Sequence, residues 1–407
     1  MTSKNKNVDR LSGLPEDIIS HILSLMATKF AVRTSVLSKR WRYSWKLITN
    51  LDFNYTPTIL GVSSFVGFVD HVMELCKTRQ LQSFRIHFSS CSVQNSKMSN
   101  WIDQAVRLNV HELDIHVIKQ LELPLSLFTC KTLTKLRLDS TVWKCPCQVT
   151  LPCLKTLDII VYTNPLVSAF KLISGCPVLE SLYLKVGYVG FVHYTFNIPT
   201  LKRLKLTLLC SSDINEVIID VPNLEYLFVG GIMCSVFVMK NVLSLVEASI
   251  SVHGLSVHLW DELLKGISGV KSLSIKTMPS NLLLPIFPNM EHLELKSLWS
   301  STLILEFLEN SPKLKHLHIN KLAASCWIEP VLVPACMLTN LTTIKFSNCQ
   351  WWKYDIPFLK YTLGNAEVLK TVTITWEDSR VEEEGELCVE LLKLPRASRN
   401  CEIHFLK

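Results

Sequence analysis

A short leucine-rich phrase returns along most of the chain and strongly limits how the chain can fold. In the phrase, an apolar residue is followed by two variable residues, an apolar residue that is usually Leu, one variable residue, and Leu or another apolar residue. Clear copies begin at Leu133, Leu154, Leu179, Leu201, Leu224, Met290 and Leu314, and weaker copies at Leu81, Val110, Leu245, Val270, Leu341 and Leu369. No copy can bury its apolar residues alone, so the copies must stack into one shared core.

The spacing of these copies, about 20 to 29 residues, is that of leucine-rich repeats. Each copy predicts a short parallel strand whose leucines point into the core. The intervening residues 166–173 and 303–308 have the apolar spacing of helices, while other intervals are short and rich in Pro. The pattern therefore predicts an α/β repeat solenoid, shaped as an irregular horseshoe. The uncharged stretch 226–239 predicts two strands separated by a turn at Gly230 and Gly231.

The first 50 residues differ in charge from the rest of the chain. They hold nine Lys or Arg against three Asp or Glu, so 9 − 3 = +6 of the total net charge of +7 lies in this segment. A local excess of this kind favours an acidic protein partner for the segment. A role in nucleic-acid binding is not expected, because the basic cluster at residues 39–42 is small.

The same segment predicts three short helices. The first begins at Pro15, with two acidic residues in its first turn, and repeats apolar residues at helical spacing. A second helix is predicted over residues 29–35 and a third over residues 38–45. So short a segment can bury only a small core, which predicts that part of its apolar surface faces a neighbour.

Three motifs in this segment resemble the F-box of plant proteins over residues 9–53. They are Leu14-Pro15-Glu16-Asp17-Ile18, Val36-Leu37-Ser38-Lys39-Arg40-Trp41-Arg42 and Leu51-Asp52-Phe53. The resemblance implies a three-helix module that binds a Skp-type adaptor and, through it, a cullin. The implied adaptor-binding residues are Leu14, Pro15, Ile18, Ile22, Leu23, Val36, Leu37, Trp41 and Trp45. Two positions depart from the family pattern, Ala27 where Pro is usual and Phe30 where an acid is usual.

The end of the chain resembles a second plant module, the FBD domain, over residues 332–407. Three segments carry the likeness: residues 334–341, 363–372 and 391–405. The predicted organisation is therefore an F-box at 9–53, leucine-rich repeats at 54–331 and an FBD domain at 332–407. We expect the FBD segment to cap the end of the repeats, because a stack of repeats must not leave its core open.

One side chain of each predicted strand lies between two core positions and should project from the opposite face of the sheet. Reading this position from successive clear and weak copies gives Arg137, Asp158, Tyr183, Lys205, Phe228, Ser249, Ser274, Glu294, His318, Lys345 and Thr373. Arg, Tyr and Phe dominate interface energetics. The candidate target-binding residues on this concave face are Arg137, Tyr183, Lys205, Phe228 and His318.

The sequence contains no convincing catalytic or cofactor-binding pattern. The pair Cys145 and Cys147 has one intervening residue and no matching second pair, and His111-Glu112 lacks a second histidine four residues on. We therefore expect no catalytic residue, metal or cofactor. The fourteen cysteines are scattered, and the polar N-terminus lacks a secretory signal. We expect buried, reduced thiols, no membrane association, and a location in the cytoplasm, the nucleus or both.

The F-box resemblance implies a substrate-recognition adaptor of an SCF-type (Skp–cullin–F-box) ubiquitin ligase, with the repeats holding the target protein. Two alternatives keep the same fold. A receptor for a small hormone or metabolite would need a basic pocket, for which Arg85, Arg137, Lys185, Arg203 and Lys205 are available. A repeat scaffold with a degenerate F-box would not reach a ligase, and the departures at Ala27 and Phe30 are what favour it.

Overall fold

The computed structural model describes most of the chain. The described residues are 11, 13–55, 61–88, 93–117, 121–140, 143, 145–162, 166–187, 193–209, 215–232, 235–279, 281–322, 328–349, 355–376 and 384–406. They divide into two compact units, residues 1–188 and 189–407.

The first unit contains five α-helices and six strands. The helices are α1 (Glu16–Ser24), α2 (Thr28–Arg33), α3 (Gly61–Leu75), α4 (Asn95–Arg107) and α5 (Leu166–Ser174). The strands are β1 (Asn50–Tyr55), β2 (Ser83–Phe88), β3 (Glu112–Val117), β4 (Lys135–Ser140), β5 (Thr156–Val161) and β6 (Ser181–Val186). Short 3₁₀ helices cover Thr34–Val36, Ser44–Leu47 and Leu125–Thr129.

The six strands of this unit form a parallel sheet in chain order, each pairing with the next without a register shift. The repeated phrase predicted β2 to β6 correctly, because each of these strands begins two residues after the start of a copy. Burial alternates along the strands as predicted. In β6, for example, Leu182 and Leu184 are buried while Tyr183 is half-buried on the other face.

The N-terminal helices form a small core of their own. Pro15 precedes α1, two acids stand in the first turn, and Ile19 and Leu23 are fully buried one helical turn apart. The predicted second helix is present as α2. The predicted third helix over residues 38–45 is not an α-helix: turns lead into the 3₁₀ helix Ser44–Leu47.

Two serine side chains account for this departure. Ser38 Oγ accepts a hydrogen bond from Trp41 N at 3.4 Å, and Ser44 Oγ donates to Arg40 O at 3.0 Å. Such local bonds compete with the hydrogen bonds of a regular helix. Trp41 and Trp45 are nevertheless both buried.

The helical module is bonded to the first strand of the sheet. Thr28 Oγ1 accepts a hydrogen bond from Asp52 N at 2.7 Å, and Asn50 Nδ2 donates to Ser24 O at 3.0 Å. The first bond occupies a backbone amide of β1, the edge strand of the sheet, whose backbone groups would otherwise be open. A domain boundary after residue 53 would therefore cut through β1.

The second unit contains the remaining helices and strands. Its helices are α6 (Val257–Gly266), α7 (Ser301–Glu309), α8 (Ala335–Thr339), α9 (Asp355–Asn365) and α10 (Glu384–Leu392). Its strands are β7 (His193–Phe196), β8 (Arg203–Leu209), β9 (Asn215–Asp220), β10 (Tyr226–Ile232), β11 (Ser235–Lys240), β12 (Glu247–His253), β13 (Ser272–Ile275), β14 (His292–Trp299), β15 (His316–Leu322), β16 (Thr343–Cys349), β17 (Thr371–Trp376) and β18 (Glu402–Leu406).

Nine of these strands form a second run of parallel pairs, in the order β8, β10 and β12 to β18. All but β18 begin two residues after a predicted copy. Gly231 lies in β10 with φ +112, and a Cβ there would stand 2.0 Å from Leu208 O on β8. Only glycine fits this close approach.

The strands β7, β9 and β11 form a separate parallel sheet of three strands, with β9 in the middle. Residues 226–239 thus contain two strands, as predicted, but the turn predicted at Gly230 and Gly231 is wrong, because both glycines lie within β10. The strands β10 and β11 also belong to different sheets. At the end of the unit, Ile403 and Phe405 of β18 are half-buried, whereas Val372 and Ile374 of the neighbouring β17 are fully buried. The last strand, which is itself part of the predicted FBD segment, is therefore covered only in part.

Candidate protein-docking surfaces

The N-terminal module exposes several large apolar side chains. Val36 is 88% exposed, Leu37 is 61% exposed and Ile18 is 46% exposed. Leu11, Leu25, Phe30, Tyr43 and Leu47 of the same module are exposed as well. Apolar surface of this kind, concentrated in one small module, marks a protein-interaction site.

The predicted adaptor-binding residues fall into two groups. Pro15, Ile18, Val36 and Leu37 are exposed, and Leu14 and Ile22 are half-buried. Leu23, Trp41 and Trp45 are buried within the chain, at 0%, 4% and 6% exposure. These three side chains are therefore not accessible in this conformation, unlike the exposed members of the set, and their part in adaptor binding stays a prediction.

The two departures from the F-box pattern leave the first interhelical turn formed. Ala27 is the residue before α2, with φ −57, and its carbonyl accepts bonds from Phe30 N at 2.8 Å and Ala31 N at 3.2 Å. Phe30 is 51% exposed, and the guanidinium of Arg33 lies 5.9 Å from its ring centroid. The aromatic ring adds to the exposed apolar surface of the module.

A row of charged side chains crosses the sheet of the first unit. Strand register aligns Asp52, Arg85, Asp114, Arg137, Asp158 and Tyr183, one from each of β1 to β6. The predicted alignment of Arg137, Asp158 and Tyr183 is confirmed by this register. We name these six residues the charged row. The sign of the charge alternates along its first five members.

Ion pairs join neighbours within the charged row. Arg85 Nη1 lies 3.5 Å from Asp52 Oδ2, and its Nε lies 3.2 Å from Asp114 Oδ2. Arg137 Nε lies 3.3 Å from Asp158 Oδ2, although the two atoms do not have hydrogen-bond geometry. Burial raises the pKa of Asp158; Arg137 opposes this rise, and the nearby Asp114 and Asp139 add to it.

The repeats carry a signal for two of the three row members that the sequence pattern had not assigned to the row. Arg85 and Asp114 stand four residues after the weak copies at Leu81 and Val110, the same offset that identified Arg137. Asp52 has the same place on β1, which no phrase predicted.

A cleft of about 500 Å³ lies along the charged row, with walls from β2 to β6. Its charged lining consists of three bases and three acids: Arg85, Lys135, Arg137, Glu112, Asp114 and Asp158. Tyr183 closes one end of the lining. A second set of polar side chains runs beside it, in which His116 Nδ1 lies 2.6 Å from Asp139 Oδ2 and His87 Nε2 lies 3.3 Å from Asp114 Oδ2.

The corresponding row of the second unit begins with a basic and aromatic patch. Lys205 and Phe228 are in-register neighbours on β8 and β10. Lys205 Nζ lies 5.7 Å from the ring centroid of Tyr226, and Arg203 Cζ lies 6.0 Å from the same centroid. A Cβ at Gly230 would meet the Phe228 ring at 2.7 Å, so the ring occupies space that any larger residue would take. These contacts assemble a surface suited to protein recognition.

Farther along the same row, Ser249, Ser274, Glu294, His318, Lys345 and Thr373 are aligned by register, as predicted. His318 Nε2 lies 2.9 Å from Ser347 Oγ, and His318 Nδ1 lies 3.4 Å from Glu294 Oε1. Burial, with Lys345 adding, lowers the pKa of His318. Burial also lowers the pKa of His316, whose ring stacks on His292 at 4.5 Å.

The described part of the chain contains no group of three or more His, Cys, Asp or Glu side chains placed to hold a metal ion. Cys145 is half-buried and Cys147 exposed, and burial raises the pKa of the Cys145 thiol to about 11. That thiol is therefore protonated near neutral pH and is a poor nucleophile. Among the described helices, none combines the length and apolar character needed to cross a bilayer.

Fold and surfaces together define a class: a leucine-rich-repeat protein with an N-terminal helical module and rows of polar side chains along its strands. Models of known protein families match the N-terminal module, part of the repeats and the C-terminal segment. An F-box domain matches residues 11–51, the leucine-rich repeats of the FBD-associated F-box protein At5g56370 match residues 98–249, and an FBD matches residues 329–374. The chain belongs to the family of FBD-associated F-box proteins with leucine-rich repeats.

Curated relatives match over almost the whole length. The chain is 34% identical to the FBD-associated F-box protein At4g10400 of Arabidopsis thaliana, over 98% of this chain and 100% of the relative. It is 31% identical to the FBD-associated F-box protein At5g56370 of the same plant, with the same coverage. F-box domains generally bind Skp1-type adaptors, and family members are generally non-catalytic adaptors.

Proposed function

We propose that this chain is the substrate-recognition subunit of an SCF-type ubiquitin ligase. The observation that carries the proposal is the coincidence of the F-box match with a helical module that exposes Ile18, Val36 and Leu37. A module that had lost its partner would have no reason to keep apolar side chains in water.

The adaptor contact combines apolar anchors with positive charge. Val36 and Leu37 are the most accessible members of the predicted adaptor-binding set. The basic residues Lys29, Arg33, Lys39, Arg40, Arg42 and Lys46 surround them in sequence. An acidic Skp-type adaptor fits this surface, and the adaptor in turn binds a cullin. Positive charge would speed the encounter, while the apolar anchors would supply the affinity.

The target is held by the rows of side chains along the strands. In this proposal the strands stack as a leucine-rich-repeat arc, and the rows line its concave face. Tyr183, Lys205 and Phe228 are the principal contacts because they pair aromatic area with charge, and Arg137 and His318 extend the surface. The half-buried state of Tyr183, Phe228 and His318 leaves part of each ring accessible.

The chain itself performs no chemistry in this account. The adaptor and the target are both bound to it, so the ubiquitin-transferring subunits act on the target at high effective concentration. A location in the cytoplasm, the nucleus or both follows from the same proposal. A receptor for an anionic small molecule is less well supported, since the three bases of the cleft are matched by three acids.

The target is best identified with a point variant of this chain that no longer binds the adaptor. Deleting residues 9–53 would remove the bonds from Thr28 and Ser24 to the first strand, whereas Val36→Ala with Leu37→Ala keeps them. Proteins captured by this double variant from cells are compared with those captured when Tyr183→Ala, Lys205→Ala and Phe228→Ala are added. Specific partners should be lost with the three added changes, and they should be ubiquitinated in the presence of the parent chain.

Two results would overturn the proposal. Retention of every specific partner by the quintuple variant would place target binding elsewhere. Partners whose ubiquitination and abundance are the same with the parent and with the variant that no longer binds the adaptor would show that the chain is a scaffold.

A further inference from the structure

We propose that the charged row binds an α-helical segment of a partner protein, one that carries acidic and basic side chains in alternation along a single face. This inference rests on the proposed function and names the chemistry of its target. It is drawn from the charge order, the exposure and the spacing of the row.

The charge order of the row favours a partner whose charges also alternate in sign. Asp52, Arg85, Asp114, Arg137 and Asp158 follow one another without interruption. A uniformly basic ligand would meet two like charges among the five, and a uniformly acidic ligand would meet three. A partner that alternates can place a carboxylate over each arginine and an ammonium over each aspartate.

The arginines stand farther into solvent than the aspartates beside them. The side chains of Arg85 and Arg137 are 51% and 43% exposed, against 33% for Asp158 and 20% for Asp114. The guanidinium groups therefore have N–H donors left for a partner's carboxylates, and each guanidinium can donate to a second carboxylate. The carboxylate of Asp158, with its side chain 33% exposed, is open to a partner's cation.

The spacing of the row matches a helix and not an extended chain. Neighbouring strands lie about 4.8 Å apart, so Asp52 to Asp158 spans about 19 Å. On one helix face, residues three and four apart rise about 4.5 to 6 Å per step, which covers about 21 Å in four steps. An extended chain places same-side residues about 6.8 Å apart and would overshoot by about 8 Å over the same steps.

The cleft gives this helix a place to lie. Its walls come from five consecutive strands, and it runs along the row with Tyr183 at one end. The aromatic ring can pack against an apolar residue that ends the charged face. The bases and acids of the lining are equal in number, so the site selects the charge order of a partner more than its net charge.

Two synthetic peptides test the inference on the full-length chain. Each has about 18 residues and the same composition, and their helical content is matched by circular dichroism. In one, Lys and Glu alternate at helical spacing on one face; in the other, the Lys residues occupy one half and the Glu residues the other. Fluorescence anisotropy should show binding of the alternating peptide at least about tenfold tighter than the blocked peptide, weakening as salt is raised.

Point variants test whether the alternating peptide binds at the charged row. Arg137→Gln and Asp158→Asn should each weaken binding of the alternating peptide severalfold, while Lys360→Gln, at an exposed residue of α9 in the second unit, should leave it unchanged. Each variant is used only after its melting curve matches that of the parent. If one of the two row variants does not fold, the other carries the test. Equal affinity for the two peptides, no saturable binding of either, or binding that survives both row changes would overturn the inference. If cellular partners still depend on Tyr183, Lys205 and Phe228 in that case, the proposed function stands without it.

Discussion

The hydroxyl of Thr28 accepts a hydrogen bond from the backbone N–H of Asp52 at 2.7 Å and so joins the N-terminal module to the first strand of the sheet. Thr28 is fully buried. The bond satisfies an amide on the outer edge of β1, where no strand follows. The F-box module is therefore hydrogen-bonded to the sheet of the first unit at this point, and it covers the outer edge of β1.

Removing this bond should destabilise the protein. Thr28→Val keeps the shape of the side chain but leaves the amide of Asp52 without its acceptor, which costs about 1 to 3 kcal/mol. Urea denaturation measures the loss, and Thr28→Ser, which retains a hydroxyl, is the matched control. If the Val and Ser variants are equally stable, the bond does not hold the module to the strand.

The first interhelical turn should accept the residue that is usual in the family. Ala27 has φ −57, inside the narrow range that proline imposes, and it precedes α2. Ala27→Pro should therefore raise the free energy of unfolding by about 0.4 to 1 kcal/mol, chiefly by restricting the unfolded chain. Ala31→Pro is the control: Ala31 N donates to Ala27 O within the helix, so this change should cost about 3 kcal/mol. A loss of stability in Ala27→Pro would contradict the described turn.

The leucines of the repeated phrase should dominate stability. Leu182 and Leu204 are fully buried, and Leu→Ala at either position should cost about 2 to 5 kcal/mol by leaving a cavity. Leu243 is 99% exposed, and the same change there should cost less than about 0.5 kcal/mol. Thermal melting of the three variants compares them directly. Similar melting temperatures for all three would mean that the strand register is wrong.

Stability should fall in mild acid because of His316 and His318. Burial lowers the pKa of both below the unfolded value of about 6.5. The unfolded chain therefore binds protons more readily than the fold does, and stability decreases as the pH drops through about 6.5 toward the lower folded values. His316→Asn with His318→Gln should flatten the dependence of stability on pH between about 7.5 and 5. The control is His253→Gln at an exposed histidine, and equal slopes for the parent and the double variant would exclude this origin.

The strands were predictable because their signal is periodic and local. Every copy of the phrase, from Leu81 to Leu369, is followed two residues later by a strand. The buried leucines determine both where the strand forms and which of its two faces packs into the core. The small sheet of β7, β9 and β11 was not predicted as a separate sheet. Its β-branched runs, such as Val217 to Ile219, are strand-like, but their partners are set by tertiary packing.

The docking surfaces were predictable only in part. Alternation along a strand identified Arg137 and Tyr183 as row members, but the ion pair of Arg85 with Asp114 depends on side chains of different repeats. The F-box motif identified the module, yet the motif does not separate exposed Leu37 from buried Trp41. That division depends on turns made by Ser38 and Ser44, which replaced the predicted third helix.

Direct binding of a purified Skp-type adaptor is the sharpest test of the central claim. Isothermal titration should give a saturable complex with the parent chain. Val36→Ala with Leu37→Ala should weaken it by about 2 kcal/mol or more, roughly 30-fold, because both side chains are exposed anchors. Leu125→Ala, at a leucine 71% exposed outside the module, should bind as the parent does. No complex with the parent, or equal affinity of the parent and the double variant, would contradict the assignment of this chain to a ligase.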